Sequence, residues 1–461
     1  MRKFFPHQMK GYWEQKDSKN LILFWEMRLG KTLVAIRWMR KKAYGGGRIL
    51  VVAPLSVLES WERELFLEKE KYVTLTGSRE DREKECARHW EKVGTNWYLI
   101  NYEGLFIPRA RTGSKRKVEP TLISRLPWKG VVLDESTRIR NPKAQTTRVV
   151  QEWLSSATYK AILSGLPNPE SELDYFEQMK FVYGSFLGED SYWSFRYKYF
   201  NQYGYSWEPK VGLRTSISRE VRPFTLTRKK VRIGPKKVKE VRYVSLPPEI
   251  EKLYKKCEKE FVLGEFDTKY ITVMRLWLQR LVGGYYKEKE IASDHKVKEL
   301  KSLLTGELKN DRVVVFYRFN EEIEASLKAL RRSIPSIAAI TGATPREDRA
   351  SLRVAFQKGD KRILLCQTQC VKYGLDFSSS STVIYYSNWE EYEVRRQSED
   401  RIIHATKIEP CLYIDLCCRD TIDYDILQAL KRKGTNSRVF VSDILKSMRE
   451  RNEYARSNNH D

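Results

Sequence analysis

The sequence contains no C-x-x-C pair, and its five histidines do not gather around its seven cysteines. That excludes the common structural zinc sites and implies reduced thiols. No apolar run approaches the ~20 residues that span a bilayer. The start, Met1-Arg2-Lys3-Phe4-Phe5-Pro6, lacks the long apolar segment of a signal peptide. An intracellular setting, cytoplasm or nucleoid, with no membrane partner is therefore expected. Negative charge is also in short supply. Against 85 Lys and Arg stand 60 Asp and Glu, a formal net charge of +25. Such an imbalance attracts polyanions, nucleic acid above all. Nuclease chemistry has no support, because no second carboxylate cluster accompanies Asp134-Glu135. No segment reads as a base-reading recognition helix.

What is present is enough for folded domains. The chain has 461 residues, 41% of them hydrophobic and 12% aromatic. That is too long for one ordinary core and suits two or three domains. The stretch Trp25-Glu26-Met27-Arg28-Leu29-Gly30-Lys31-Thr32 lies between an apolar run, Leu21–Phe24, and a helix-like stretch from Leu33. Strand, loop and helix in that order make a phosphate site, because N–H groups and the helix dipole face the anion. Lys31 then suits the β and γ phosphates of a nucleotide, and Thr32 a Mg²⁺ ion. The match is partial, since Trp25 stands where the full pattern has Gly. A second signal follows at Val131-Val132-Leu133-Asp134-Glu135-Ser136-Thr137, a buried strand that ends in two carboxylates. Ligands bind at the carboxyl ends of parallel strands. There Asp134 would hold Mg²⁺ through water, and Glu135 would orient or deprotonate the attacking water.

Several other segments read as parts of the same plan. Gln8, after Phe4-Phe5-Pro6-His7, suits a site where an amide reads adenine. Ile49–Ala53 and Tyr98–Tyr102 read as strands, as does Ala161–Leu163 before the turn Ser164-Gly165-Leu166-Pro167. Arg109–Lys117 reads as a basic exposed loop, either solvated or touching a phosphate backbone. From Tyr175 to Phe224 aromatic and basic residues crowd together. These can stack on bases, but packed helices are the preferred reading. A basic connector, Arg228–Lys237, marks a domain boundary, and 249–305 reads as helical with Trp277, Leu278 and Leu281 buried. A second α/β pattern then supplies strands at Val313–Tyr317, Ile337–Ile340, Ile363–Cys366, Val383–Tyr386 and Leu412–Leu416. The tail from about Lys431 reads as helical or frayed.

Taken together, from Gln8 to about Leu430, the ordered motifs resemble superfamily-two helicases and translocases, specifically the Swi/Snf-type ATPases. Gln8 resembles the adenine-reading Gln motif and Glu26–Thr32 motif I. Pro54-Leu55-Ser56 with Trp61 resembles motif Ia, and Asn101-Tyr102 motif Ib. Asp134–Thr137 resembles the Walker B box, and Ser164–Pro167 the coupling motif III. In the second half Phe316-Tyr317, Gly342 with Arg349 and Phe356, Gly374-Leu375-Asp376 and Gln397–Arg401 resemble motifs IV to VI. The compact size and the motif I spelling look most like bacteriophage or mobile-element versions, which would place the protein in a host cytoplasm.

The resemblance implies an α/β fold of two RecA-like parallel-sheet domains in tandem with helical insertions between them. The expected divisions are 1–230, with a helical protrusion at about 175–225, a basic linker and helical insertion at 231–300, a second domain at 301–435, and a tail at 436–461. It implies ATP and Mg²⁺ as cofactors. The expected catalytic residues are Lys31, Asp134, Glu135, Gln397, Arg401 and His404. ATP-binding residues are Gln8, Met27, Arg28, Leu29, Gly30, Lys31, Thr32, Gly374, Asp376 and Arg401, with Thr32 and Asp134 on Mg²⁺. Pro54, Ser56, Asn101, Tyr102, Tyr317, Arg318, Gly342 and Thr368 would face DNA, while Ser164 and Gly165 couple the two activities. The implied function is a DNA-dependent ATPase that translocates on or remodels duplex, forked or branched DNA, with replication or recombination proteins as further partners. Strand-separating helicase and basic DNA-binding scaffold with weak ATPase stand as alternatives. Four departures matter. Arg28 replaces a usual Gly, Trp25 a usual acidic residue and Leu166 a usual Thr, and His404 stands where motif VI carries a second arginine. A neutral imidazole lacks the guanidinium fork, so Arg401, or a neighbour such as Arg395 or Arg396, would have to carry that charge.

Overall fold

In the computed structural model, residues 2–90, 96–107, 119–169, 171–203, 206–227, 235–260, 262–263, 266–267, 271–286, 293–373, 376–404 and 407–431 are described. The basic loop Arg109–Lys117, the Gly374-Leu375 pair and the tail beyond 431 lie outside them. The chain divides into two compact units, Met1–Ile233 and Gly234–Asp461.

The first unit is built on a parallel seven-stranded sheet. Its strands are β1 (Asn20–Trp25), β2 (Ile49–Ala53), β3 (Tyr72–Leu75), β4 (Trp97–Asn101), β5 (Gly130–Asp134), β6 (Tyr159–Leu163) and β7 (Thr225–Leu226). The spatial order is β7-β1-β6-β5-β2-β4-β3. The near-continuous apolar runs of β1, β2 and β5 follow from burial on both faces. One face carries Ile22, Leu50, Ile100 and Leu133, and the other Leu21, Val51, Leu99 and Val132. Register brings three carboxyl ends together, since Leu23 pairs with Leu163 and Leu163 with Asp134.

The aromatic segment is not helical throughout. Helices α1 (Tyr175–Tyr183), α2 (Tyr192–Tyr199) and α3 (Leu213–Val221) are present, but an antiparallel hairpin, Phe200–Tyr203 with Ser206–Pro209, stands between the last two. Phe195 and Phe200 are buried there with Phe176 and Phe186.

The second unit has a parallel six-stranded sheet of β8 (Lys237–Val244), β9 (Val313–Tyr317), β10 (Ile337–Ile340), β11 (Ile363–Gln367), β12 (Thr382–Tyr385) and β13 (Cys411–Cys418). Its order is β8-β13-β12-β9-β11-β10. Both RecA-like parallel-sheet domains expected from the sequence are therefore present. The reading of 231–300 as linker and helices needs correction. Lys237–Val244 is a full edge strand, paired residue by residue with Cys411–Cys418. Its lysines disguise it, and lysine is a residue edge strands tolerate. Beyond it come helices Pro248–Glu260, Ile271–Gly283 and His295–Thr305. Leu278 and Leu281 are buried in a separate cluster with Ile250, Tyr254 and Ile426, and Trp277 packs against it partly buried. Among the described residues no helix is long and apolar enough to cross a membrane.

Candidate functional site

In the first unit the loop after β1 leads into helix Lys31–Lys42, whose first turn holds no acidic residue. Its leading N–H groups thus present uncompensated positive charge. Gly30 caps the helix at φ 72°, a left-handed conformation natural to glycine. Arg28 adopts φ 67° in the same loop. An L-residue there carries a strain of roughly 1–2 kcal/mol, so the Arg-for-Gly departure leaves the loop shape in place at a cost. Leu29 is buried and pins the loop.

Trp25, the other departure, is a core residue. It is 3% exposed, and a Cβ on Gly11 would come within 2.2 Å of its ring. Helix Pro6–Gln15 therefore packs directly on the loop. From it the His7 ring nitrogen Nε2 lies 3.0 Å from the Leu29 carbonyl, and Gln8 Nε2 donates to the Gly30 carbonyl at 3.1 Å. Gln8 also accepts from the Phe5 N–H at 2.8 Å and is buried. In this structure its amide braces the phosphate loop. His7 carried no signal in the sequence beyond standing next to Gln8.

Lys31 Nζ donates to the Trp25 carbonyl at 2.9 Å. A Cβ on Gly165 would lie 3.8 Å from that Nζ and 2.9 Å from Met27 Cγ. A side chain at 165 would press on Met27, so glycine suits the close approach of this turn to the loop. Asp134 ends β5 beside them. Trp61 Nε1 donates to its Oδ2 at 2.8 Å, the Glu135 N–H donates to its Oδ1 at 2.9 Å, and the Tyr102 hydroxyl donates to its carbonyl at 2.8 Å. Burial pushes the Asp134 carboxyl above its ordinary value, against the pull of the Trp61 hydrogen bond, Lys31 and the Glu135 N–H. A divalent cation would favour the ionised form, and Thr32 and Asp134 offer the oxygen donors Mg²⁺ takes. Glu135 follows at φ 50°, again left-handed. Strain at this position, next to a buried carboxylate, is the kind found at working sites.

One connection lay hidden in the aromatic segment. The Ser136 hydroxyl donates to Gln178 Oε1 at 2.7 Å, and Gln178 Nε2 donates to the Pro167 carbonyl at 2.6 Å. Gln178 is fully buried. It ties the residues after Asp134-Glu135 to those after Ser164-Gly165. A polar residue on the apolar face of α1 was the available clue.

Of the residues expected to face DNA in this unit, Pro54 and Ser56 are half-buried after β2, and Asn101 Nδ2 donates to Glu103 at 3.0 Å. Tyr102 needs correction, since its side chain is 1% exposed and serves Asp134.

In the second unit, the residues after β9, β10 and β11 gather at the carboxyl edge. Gly342 N–H donates to Gln367 Oε1 at 2.9 Å, and Arg349 donates to the Gly342 carbonyl at 2.7 Å. Tyr317 and Thr368 are buried, and the Thr368 hydroxyl donates to the Tyr317 carbonyl at 2.8 Å. They shape the edge and do not offer side chains to a polyanion. Arg318 pairs with Glu390 at 3.0 Å and lies over Trp389.

Motif VI is helix Tyr392–Glu399 followed by a 3-10 turn, Asp400–Ile402. The Arg401 carbonyl accepts from the Phe377 N–H at 3.1 Å, joining motif VI to the segment of Asp376. Gln397 and Arg401 are half-buried, and His404 is exposed. Arg395 is no substitute cation. It is buried, bonded to Asp415 at 2.5 and 2.9 Å and to Glu399 at 3.1 Å. Lys237 and Lys239 of β8 close the cage on Glu399 at 2.9 and 2.7 Å. Although burial favours the neutral form, Arg395 and the two lysines hold Glu399 far below the usual carboxylate range.

Comparison with known proteins agrees with this arrangement. Residues 9–316 match the SNF2-related domain, and residues 295–406 the helicase conserved C-terminal domain. YwqA of Bacillus subtilis, described as an ATP-dependent helicase/translocase, is 23% identical over 88% of this chain and 46% of its own. The chromatin-remodelling subunit snf22 of Schizosaccharomyces pombe is 24% identical over 93% of this chain and 27% of its own. The chain thus spans less than half the length of both relatives. The SWI2/SNF2 ATPase core of Sulfolobus solfataricus in complex with double-stranded DNA is 20% identical, at TM-score 0.43, over 96% of this chain and 94% of that one. On the match that runs through the phosphate loop, the strand-end carboxylates and the first strand of the second sheet, the chain belongs to the SNF2-related family, with a helicase C-terminal domain following.

Proposed function

We propose that the protein is a DNA-dependent ATPase that translocates on or remodels double-stranded or branched DNA. The observation that carries this reading is the edge of the first sheet. Lys31, Gly165, the buried Asp134 and the half-buried Glu135 meet there around a helix N-terminus with no acid in its first turn. The β and γ phosphates of ATP take the place of the Trp25 carbonyl as partners of Lys31. Thr32 and Asp134 would hold Mg²⁺, which supplies charge neutralisation to the phosphates when bound. Glu135 orients the attacking water and takes its proton. Arg401 supplies the guanidinium charge in the transition state, because His404 lacks the guanidinium fork. Gln178 passes the state of the Glu135 segment to motif III through its hydrogen bonds with Ser136 and Pro167. Relatives described as helicases, translocases and remodellers support the same reading, as does the +25 charge.

The test is the ATPase rate on single-stranded, duplex, forked and four-way DNA, alongside strand-displacement and branch-migration assays. Stimulation by duplex or branched DNA without strand displacement is the expected result. Strand displacement would make the protein an unwinding helicase. DNA binding with no stimulated turnover would make it a scaffold, the reading that the exposed His404 favours.

A further inference from the structure

The exposed side of the aromatic segment carries a cluster that the ATPase reading does not use. Trp193 and Tyr197 stand four residues apart on α2 (Tyr192–Tyr199), so they share a face. They are 40% and 62% exposed. Rings this open present π-surface to solvent, whereas Phe176, Phe186, Phe195 and Phe200 of the same segment are buried. The Arg196 guanidinium lies between them and the hairpin, 4.5 Å from the Trp193 ring, 5.6 Å from Tyr197 and 4.1 Å from Trp207. Lys143, from the loop that follows Asp134-Glu135, brings its Nζ to 5.2 Å from the Trp193 ring. Nearby acids are engaged elsewhere, Glu189 with Lys198 and Glu172 with Arg214. Among the described residues no carboxylate pairs with Arg196 or Lys143.

From this we infer that Trp193, Tyr197, Arg196 and Lys143 form a binding site for unpaired nucleotides of a single strand. Bare rings offer stacking faces to bases of any identity, and stacking of this kind tolerates every sequence. Two cations without acidic partners suit the phosphates between those bases. A duplex keeps its base faces covered by their neighbours, so open rings gain little from it. A structural role alone would have Arg196 hold the hairpin to α2, and it explains Trp207, which is half-buried. Tyr197 also meets Trp207 edge-on, with ring centroids 5.3 Å apart, yet it and Trp193 stay largely open to solvent, and packing of the hairpin gives Lys143 no task. Tyr203 is a natural control. It is 60% exposed, but Trp207 pairs across the hairpin with Gln202, so strand alternation puts Tyr203 on the other face.

None of these four residues belongs to the nucleotide site, and the test needs no ATP. The full-length protein is titrated, at one fixed salt concentration, against three labelled probes of about twelve nucleotides. These are an oligothymidine, an abasic strand of equal charge, and a blunt duplex. The wild type should bind the oligothymidine at least ~10-fold more tightly than the abasic strand. Tyr197→Ala should lose roughly tenfold on the oligothymidine, and Trp193→Ala with it more again. Neither change should alter binding to the abasic strand or the duplex, and Tyr203→Ala should behave as wild type. Tyr197→Ala gives up one edge contact with Trp207 but keeps Arg196 between the two indoles, so it decides the matter even if Trp193→Ala fails to fold. Equal wild-type affinity for oligothymidine and abasic strand, or a Tyr197→Ala protein with unchanged oligothymidine binding or with an equal loss on duplex, overturns the assignment. Lys31→Ala should keep the wild-type binding pattern, so a failure of the ATPase reading would appear in turnover and leave this result untouched.

Discussion

Arg395 and Arg401 share one segment but not one task. Arg395 is enclosed by Asp415, Glu399 and Asn388 and lies over the Tyr385 ring. Removing it leaves buried carboxylates without their partner, a loss of ~3–5 kcal/mol. Arg395→Ala should therefore lower the unfolding midpoint sharply, as read by denaturant titration, and should not give a folded but slow enzyme. Arg401→Ala should do the reverse. It should stay folded and lose at least ~100-fold in DNA-stimulated hydrolysis, about 2.7 kcal/mol of transition-state stabilisation. His404→Ala should cost far less, and His404→Arg should leave the rate unchanged or raise it. Steady-state ATPase on saturating duplex checks all three, and a His404→Ala protein as inactive as Arg401→Ala would make the histidine essential. The sequence offered Arg395 and Arg396 as equals, because spacing along a helix does not say which side chain is enclosed. The cage becomes visible only when β8 and β13 bring Lys237, Lys239 and Asp415 to the helix. Tyr102, Tyr317 and Thr368 misled for the same reason, since a motif position fixes a residue's neighbourhood and not its exposure.

Elements were legible where one signal dominated. Apolar runs marked the inner strands of both sheets, and the strand-loop-helix order marked the phosphate loop. The short edge strand Tyr72–Leu75 and the charged edge strand Lys237–Val244 escaped, because tertiary pairing defines them more than composition does. The pairing of Phe200–Tyr203 with Ser206–Pro209 was masked by aromatics that suit helix and strand alike. The helix Asn320–Leu330 shows how packing sets a titration that sequence cannot reveal. Its Glu322 accepts from the Phe319 N–H at 3.3 Å and from the Ser387 hydroxyl at 2.5 Å, and it is fully buried. Burial raises its carboxyl to about 7, against the pull of Ser387 and Lys296. A carboxyl raised on folding contributes stability in full below its unfolded value, near 4.5, and loses it as pH rises through the folded one. Glu322→Gln should therefore be more stable than wild type at about pH 8, and the advantage should fade as pH falls through 7 toward 5. Thermal unfolding across that range is the check, and an advantage that grew on acidification would refute the assignment.

At the scale of the whole molecule, charge and chemistry separate. The +25 charge comes from lysines and arginines spread along both units, whereas Lys31, Gly165, Asp134 and Glu135 gather at one edge of the first sheet. DNA affinity should fall steeply with salt and depend little on sequence, with a log–log slope near −0.9 for each phosphate neutralised on duplex. A salt-insensitive, sequence-selective footprint would contradict this. The two units and the ordered motifs were legible because each rests on length or on residues close in sequence. The bracing of the loop by His7 and Gln8, the Trp61 bond to Asp134 and the Gln178 bridge were not, because each joins segments that only the sheet brings together. The central claim is that the strand-end pair and the phosphate loop hydrolyse ATP. Its most direct test is nucleotide binding and duplex-stimulated turnover measured side by side in Glu135→Gln and Lys31→Ala. The account predicts that Glu135→Gln binds ATP but turns it over at least ~100-fold more slowly, and that Lys31→Ala abolishes turnover while duplex binding survives. Near-normal ATPase in Lys31→Ala, or lost nucleotide binding with unchanged residual turnover in Glu135→Gln, would contradict it.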